Sequence, residues 1–230
     1  MNESLGEIET QQQTPLDASL AQLVRAQLIV EKASVASWYD STFDTTSSVI
    51  ASGGIYARAL AADLMAVQVQ RPLHIQDDRK YYRRAPSPLT PDIRHTAIVR
   101  AHWHHASMVV HELAVVGRSP DVPLSLGNIY NLQACLDSIV AWFNVLFSMP
   151  ARDIIFFSTI FSSQLRHCVG MLFYLTTLDD PGWDRKAVRA RIDVLATVDR
   201  MRDDIRLSAE IAGWRADDGV DVFKLSLLHI

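Results

Sequence analysis

Residues 128–191 read NIYNLQACLDSIVAWFNVLFSMPARDIIFFSTIFSSQLRHCVGMLFYLTTLDDPGWDRKAVRAR, and the spacing of their apolar side chains decides the fold class. Ile129, Leu132, Leu136, Ile139, Val140, Phe143 and Phe147 recur at helical spacing up to Pro150, which cannot continue a helix interior. From Ile154 to Leu178 apolar residues lie on almost every face, interrupted chiefly by Arg166 and His167. That pattern predicts a helix buried all round. Pro181 and Gly182 then form a turn and Asp184 is placed as an N-cap. Val188, Ile192, Leu195, Val198, Met201 and Ile205 resume one apolar stripe along a third helix.

Working outward, Leu20, Leu23, Val24, Gln27 and Leu28 predict an amphipathic helix over about 17–39. Residues 40–54, rich in Ser, Thr and Gly, read as a loop or a weakly capped short helix, with Gly53 and Gly54 as a flexible turn. Ile55, Ala59, Ala62, Leu64, Met65 and Val69 resume helical spacing before Pro72. Residues 72–91 are a proline-rich connector. Asp92 is placed to cap a helix through Ile93, Ile98, Val99, Trp103, Ala106, Val109, Val110 and Leu113, with Gly117 just past its end. After the third helix, Gly213 closes the pattern, and the tail beyond Trp214 either packs its apolar end on the core or hangs free. Every strong segment has helical period. The expectation is an all-α chain: a tail over 1–15, then one bundle-like domain of six to eight helices over 16–230.

The chain has 230 residues, 49% of them hydrophobic and 21% charged, which supplies a sizeable core and excludes a disordered chain. A net charge of −4 argues against a surface that neutralises many phosphates. Cys135 and Cys168 both fall in apolar helical patterns, where thiols behave as small hydrophobes, so neither a disulfide framework nor a cysteine zinc site is expected. The N-terminal MNESLGEIETQQQT lacks the basic and apolar segments of a secretory signal. The 154–178 segment is long enough for a bilayer, but an Arg near its centre costs about 2.5–3.5 kcal/mol on insertion scales. No membrane association is expected.

Candidate chemistry is sparse. His102, His104, His105 and His111 invite a metal, and His104 and His111 share a helix face close to Met108 and Glu112. No HExxH spacing occurs and no cysteine joins them. The pairs Asp77-Asp78 and Asp179-Asp180 lack the further carboxylate one turn on that would let oxygens converge on a divalent ion, since Tyr81 and Trp183 stand there. No nucleophile elbow or phosphate-binding glycine loop is present. The cluster Arg79, Lys80, Arg83 and Arg84, interleaved with Tyr81 and Tyr82, reads as a solvated linker in preference to a nucleic-acid contact or import signal. No cofactor, catalytic residue or metal ligand is expected. A helical enzyme binding a metal or small molecule through His102–His111 is the alternative.

The runs AWFNVLFSMP at 141–150, MLFYLTTLDDPGWDR at 171–185 and VRARIDVLATVDRM at 188–201 resemble the C-terminal helical region of fungal zinc binuclear-cluster transcription regulators. HHASMVVHEL at 104–113 is similar to an aromatic- and His-rich helix of the same proteins. The resemblance rests on Trp142, Phe143, Pro150, Leu178, Asp180, Pro181, Trp183 and Asp184, and implies that these are a structural motif. It implies a regulatory domain in the nucleus, or else the cytoplasm. Its partners would be transcription machinery, other regulators or a second copy of itself, with an unidentified small-molecule effector. The six-cysteine DNA-binding cluster is not in these residues. The expectation is a fragment or a regulator without its DNA reader, with no direct DNA binding by this chain.

Overall fold

Pro150 ends one long helix, and a sequence of caps sets where the later ones begin. The computed structural model describes residues 6, 8, 15–42, 48–69, 91–113, 115–116, 121–154 and 158–213. Every regular element among them is an α-helix: α1 (Pro15–Thr42), α2 (Ser48–Val69), α3 (Pro91–Glu112), α4 (Leu126–Ser148), α5 (Ala151–Ile154), α6 (Thr159–Thr177), α7 (Arg185–Arg191) and α8 (Val194–Ile211). The all-α expectation holds. Most of the expected tail over 1–15, all but the last residue of the 72–91 connector, Gly117 and everything from Trp214 onward lie outside the described residues. The chain divides into two compact units, 1–145 and 146–230.

In the first unit α1 packs on α2 and α3, and α2 packs on α3. The buried stripe of α1 differs from the one the sequence suggests. Leu20 is 48% exposed and Gln27 is exposed, whereas Ser19, Gln22, Ala26, Ile29 and Ala33 are buried, at alternating spacings of three and four. Small side chains at a helix contact let the axes approach, so the larger leucines are displaced to the flank. In α2 the helix begins at Ser48 and takes in Gly53 and Gly54, correcting the expected turn. Its buried stripe is Ala57, Leu60 and Leu64, while Ala59, Ala62, Met65 and Val69 face solvent.

Helix α3 is the centre of this unit because two of its faces are buried. Val99, Trp103, Ala106, Val110 and Leu113 form one stripe; Ala97, Ala101, His105 and Met108 form another. It starts at Pro91, so Asp92 falls inside the first turn and not at the cap. Against α3 lies the first part of α4, which buries Leu132, Cys135, Leu136, Ile139, Trp142 and Phe143. Polar groups fix the register of that contact. Ser138 Oγ lies 2.8 Å from the Ala134 carbonyl and 2.9 Å from Ser107 Oγ, so it donates to the carbonyl and accepts from Ser107. Trp142 and Phe143 meet edge to face with centroids 5.3 Å apart, the arrangement ring quadrupoles favour.

The second unit contains the end of α4 and α5 to α8. Helix α6 begins only at Thr159, where the Ser158 side chain accepts from the Phe161 backbone N–H at 3.3 Å. The expected start at Ile154 is therefore replaced by the one-turn helix α5, whose Asp153 N–H donates to the Pro150 carbonyl. Helix α6 is not buried all round. Phe161, Leu165, Cys168, Val169, Leu172 and Leu175 are buried, but Thr159, Ser163, Arg166, Phe173 and Thr177 make an exposed strip, and Phe173 is 58% exposed. The expected third helix is likewise two. Ile192 is extended (φ −152°), and the Asp193 side chain accepts from Ala196 N–H at 2.9 Å to start α8. Val188 and Met201 are buried as expected; Leu195 is 77% exposed because it falls in the first turn after that break. Helix α8 packs on α5 and α6, and closes on Gly213 at φ 74°, a left-handed position that glycine adopts without strain. Among the described residues no helix is long and apolar enough to cross a membrane.

The small-residue stripe of α1 leads to a contrast in urea unfolding. Ala26→Leu, at 1% exposure, is expected to overpack the α1 contact at a cost of about 1–3 kcal/mol. Leu20→Ala is expected to change stability by less than about 0.5 kcal/mol, as an exposed position should. Equal midpoint shifts for the two would contradict the observed face.

Candidate functional site

The last turn of an α-helix leaves carbonyls without intrahelical partners. At the end of α6 the cap residue closes the last helical bond, and two of the carbonyls beyond it are taken up by side chains from further along the chain. Leu178 N–H donates to Tyr174 O at 2.8 Å, the Trp183 indole N–H donates to Leu175 O at 2.8 Å, and Arg189 Nη2 donates to Thr176 O at 2.9 Å. The Thr176 and Thr177 hydroxyls both donate to Phe173 O, at 2.8 and 2.9 Å. Three successive carbonyls are thus satisfied by a backbone amide, an indole and a guanidinium. The positive guanidinium also meets the negative end of the helix dipole.

Between the two helices the sequence LDDPGWD sets the path of the chain. Asp180 Oδ1 accepts from Gly182 N–H at 2.9 Å, and Asp180 O accepts from Trp183 N–H at 3.0 Å. Pro181 holds the second position of this β-turn, where its fixed φ fits. The turn brings Trp183 back under α6, where it is 5% exposed. Asp184 then caps α7, accepting from Lys186 and Ala187 N–H at 2.9 and 3.0 Å. Exposed Asp179 pairs with Arg185 at 3.1 Å. These two aspartates of the acidic pair are therefore occupied as a turn former and a surface partner.

Each residue of the expected motif has a mechanical place. Leu178, Asp180, Pro181, Trp183 and Asp184 come together in this junction. Trp142 and Phe143 sit in the first unit at 0% and 1% exposure, and Pro150 supplies the carbonyl that starts α5. Sequence reading did not single out Arg189, Ser158, Asp193 or Arg200. Arg200 lies 4.1 Å over the Phe147 ring and donates to the Phe147 carbonyl at 3.3 Å. Ser158 and Asp193 carry the N-cap signature, a short polar residue at the start of a helical run. Arg189 reaches back across a turn and Arg200 reaches the end of α4, 53 residues earlier, which spacing does not reveal.

The histidines of α3 do not converge. His102 Nδ1 is 2.9 Å from the Ile98 carbonyl of its own helix, and His111 Nδ1 is 3.0 Å from Asn131 Oδ1, whose amide donates to Gly127 O. Both geometries require Nδ1 to carry the proton, which leaves that nitrogen unable to bind a metal. Among the described residues no group of three or more His, Cys, Asp or Glu could hold a metal ion. Cys135 is buried against the α3 backbone, its Sγ 3.9 Å from Met108 O, and burial raises its pKa well above the usual thiol range. It is an unreactive core thiol. Asp77, Asp78, Arg79, Lys80, Tyr81, Tyr82, Arg83 and Arg84 lie outside the described residues.

An all-helical chain joined by capped turns is the class that fold and junction define. A family model described as a C-terminal domain matches residues 151–228, which include α5 to α8. The chain is 23% identical over 94% of its length to a Penicillium oxalicum protein named transcription factor opdL, covering 35% of that protein. It is 24% identical over 99% of its length to an Aspergillus terreus protein named transcription factor, covering 38%. The chain therefore spans little more than a third of the length of these curated relatives. No solved structure matches it. It is a region related to fungal transcription factors.

The junction is testable by removing its parts in turn. Trp183→Phe keeps an aromatic body but strips the donor from Leu175 O, and should cost about 1–3 kcal/mol. Trp183→Ala should cost about 3–5 kcal/mol, and Asp184→Ala about 1 kcal/mol. A thermal-melt shift near zero for Trp183→Ala would show that the turn is not docked. His102 gives a pH prediction. Burial lowers its pKa from 6.5, opposed by its bond to Ile98 O. The unfolded chain then binds the proton more readily, so stability present above pH 6.5 is lost as pH falls through that value towards the folded pKa. His102→Gln should flatten the decline of the urea midpoint between about pH 7.5 and 5.5; an unchanged slope would contradict it.

Proposed function

We propose that this chain is a regulatory or effector region of a fungal transcription regulator, acting by helix packing and protein contacts and carrying no reaction chemistry of its own. The observation that carries the proposal is similarity along nearly the whole chain to two proteins named transcription factors. The region covers residues 16–230 in this reading. Trp142, Phe143, Pro150, Leu178, Asp180, Pro181, Trp183 and Asp184 are its structural motif. Its site of action is the nucleus, and its partners are transcription machinery, other regulators or a second copy. DNA contact falls to another segment or protein, consistent with a net charge of −4. A small-molecule effector would act by binding one helical arrangement better than another, since only differential affinity shifts such an equilibrium.

The test tethers the 230-residue chain to a DNA-binding domain of known specificity upstream of a reporter in a filamentous fungus. The expected result is a several-fold change in reporter output relative to the DNA-binding domain alone. An unchanged reporter, with the fusion intact and nuclear, would overturn the proposal.

A further inference from the structure

The buried side of α8 runs past its cover. Thr197, Met201 and Ser208 lie on one side of this helix, which packs against α5 and α6, and all three are buried. Ile211 and Ala212, three and four residues past Ser208, continue the same side, yet both are exposed, Ile211 at 56%. Leu207 is 47% exposed and neighbours Ile211 on the helix surface, four residues before it. Ser208 Oγ, buried in this last turn, has no hydrogen-bond partner among the described residues. The helix then ends in a way that turns the chain back. Gly213 N–H donates to Glu210 O at 3.0 Å and the glycine φ is 74°. In this left-handed closure the residue after the glycine commonly makes an apolar contact with the final turn, five residues earlier. Here those two positions are Trp214 and Ala209, and Ala209 is 7% exposed.

We propose that the end of α8 is the docking surface for residues 214–230 of the same chain, with Trp214 against Ala209 and Ile211 and the apolar run from Val222 to Leu228 covering Leu207. This segment lies outside the described residues. It is selected as the occupant by where it starts, because it leaves α8 at the uncovered turn itself. The family match points the same way: it covers residues 151–228 and so joins the segment to α5 to α8 in one domain. Its composition fits too, since VFKLSLL at 222–228 is mostly apolar and interrupted by a single charge. A second copy competing for Leu207 and Ile211 would have to displace a segment tethered beside them, whose effective concentration is set by a connection of a few residues. This docking does not depend on the regulatory role of the chain; it completes the packing of the second unit.

The experiment follows cleavage of the full chain by trypsin after Lys224, read by mass spectrometry. A docked segment is cut only while released, so the rate tracks the released fraction. Ile211→Asp and Trp214→Ala are each expected to speed this cut about tenfold or more, and Leu207→Ser severalfold. Leu126→Asp, at a position 86% exposed on α4, should leave it unchanged. Circular dichroism verifies that each variant is folded, and Leu207→Ser carries the test if Ile211→Asp is not. Light scattering of the same proteins reports a second copy. A cut after Lys224 as fast in the wild-type chain as in the α8 and Trp214 variants would overturn the proposal. So would a dimer that Ile211→Asp dissociates without changing that cut, which would give the surface to a second copy.

Discussion

The carbonyls at the end of α6 are a debt that helix geometry creates and the following residues settle. Tyr174 O has a backbone amide within reach, but Leu175 O and Thr176 O must find donors from further along the chain. Leaving a buried carbonyl unpaired costs about 1–3 kcal/mol each, so the turn must return the chain to the helix it has just left. That requirement explains why Asp180, Pro181 and Gly182 stand in a row: the first accepts from the third, the second has its φ preset, and together they deliver Trp183. Its indole both fills space beneath α6 and donates to it. Arg189 can do its part only because Asp184 has started α7 one turn earlier, which aims the guanidinium at Thr176 O. The caps and the tertiary contact are therefore one device, and removing either weakens the other.

The first unit is held differently. Its helix contacts depend on small side chains, with Ala26 and Ala33 on α1 and Ala57 on α2 buried. Close approach gives dispersion contact along the whole seam without large apolar groups. Helix α3, buried on two faces, meets this seam on one side and offers Ser107 and His111 to α4 on another. Those hydrogen bonds link specific residues of the two helices, so a slip along the helix axis would leave them unmade. Packing of alanines alone would tolerate such a slip; the polar pairs do not.

Helical period was legible wherever the buried stripe consisted of large apolar residues. Leu132, Leu136, Ile139 and Phe143 on α4 are the clearest case, and Val99, Trp103, Ala106 and Val110 on α3 another. It misled where the stripe was small or polar: on α1 the leucines looked like the core, yet Ser19, Gln22, Ala26 and Ala33 are inside. Hydrophobicity ranks those positions low, whereas close packing ranks them high. Continuous apolar composition also hid the outer strip of α6, because Phe173 is exposed and its hydrophobicity says otherwise. The turn chemistry of Asp180, Pro181, Gly182 and Asp184 was readable because each residue type has a local backbone reason to be there. Arg189 and Arg200 were not, since an arginine that reaches a carbonyl on another element has the same local signature as one in water.

The same two-ended fixing of α7 bears on what its outer face can do. Asp184 anchors its start, Asp193 forces a new start immediately after it, and Val188 and Arg189 hold its inner side to α6. A helix of 7 residues has too little intrinsic stability to persist alone in water, so its outer face exists in this arrangement only while the junction is made. A ligand that prefers the helical form of α7 would therefore strengthen the cap of α6, and one that prefers it unwound would release Trp183 and Arg189 together. Coupling of that kind needs no moving domain and no distant pathway. It follows from a short helix whose inner side is held to the end of its neighbour.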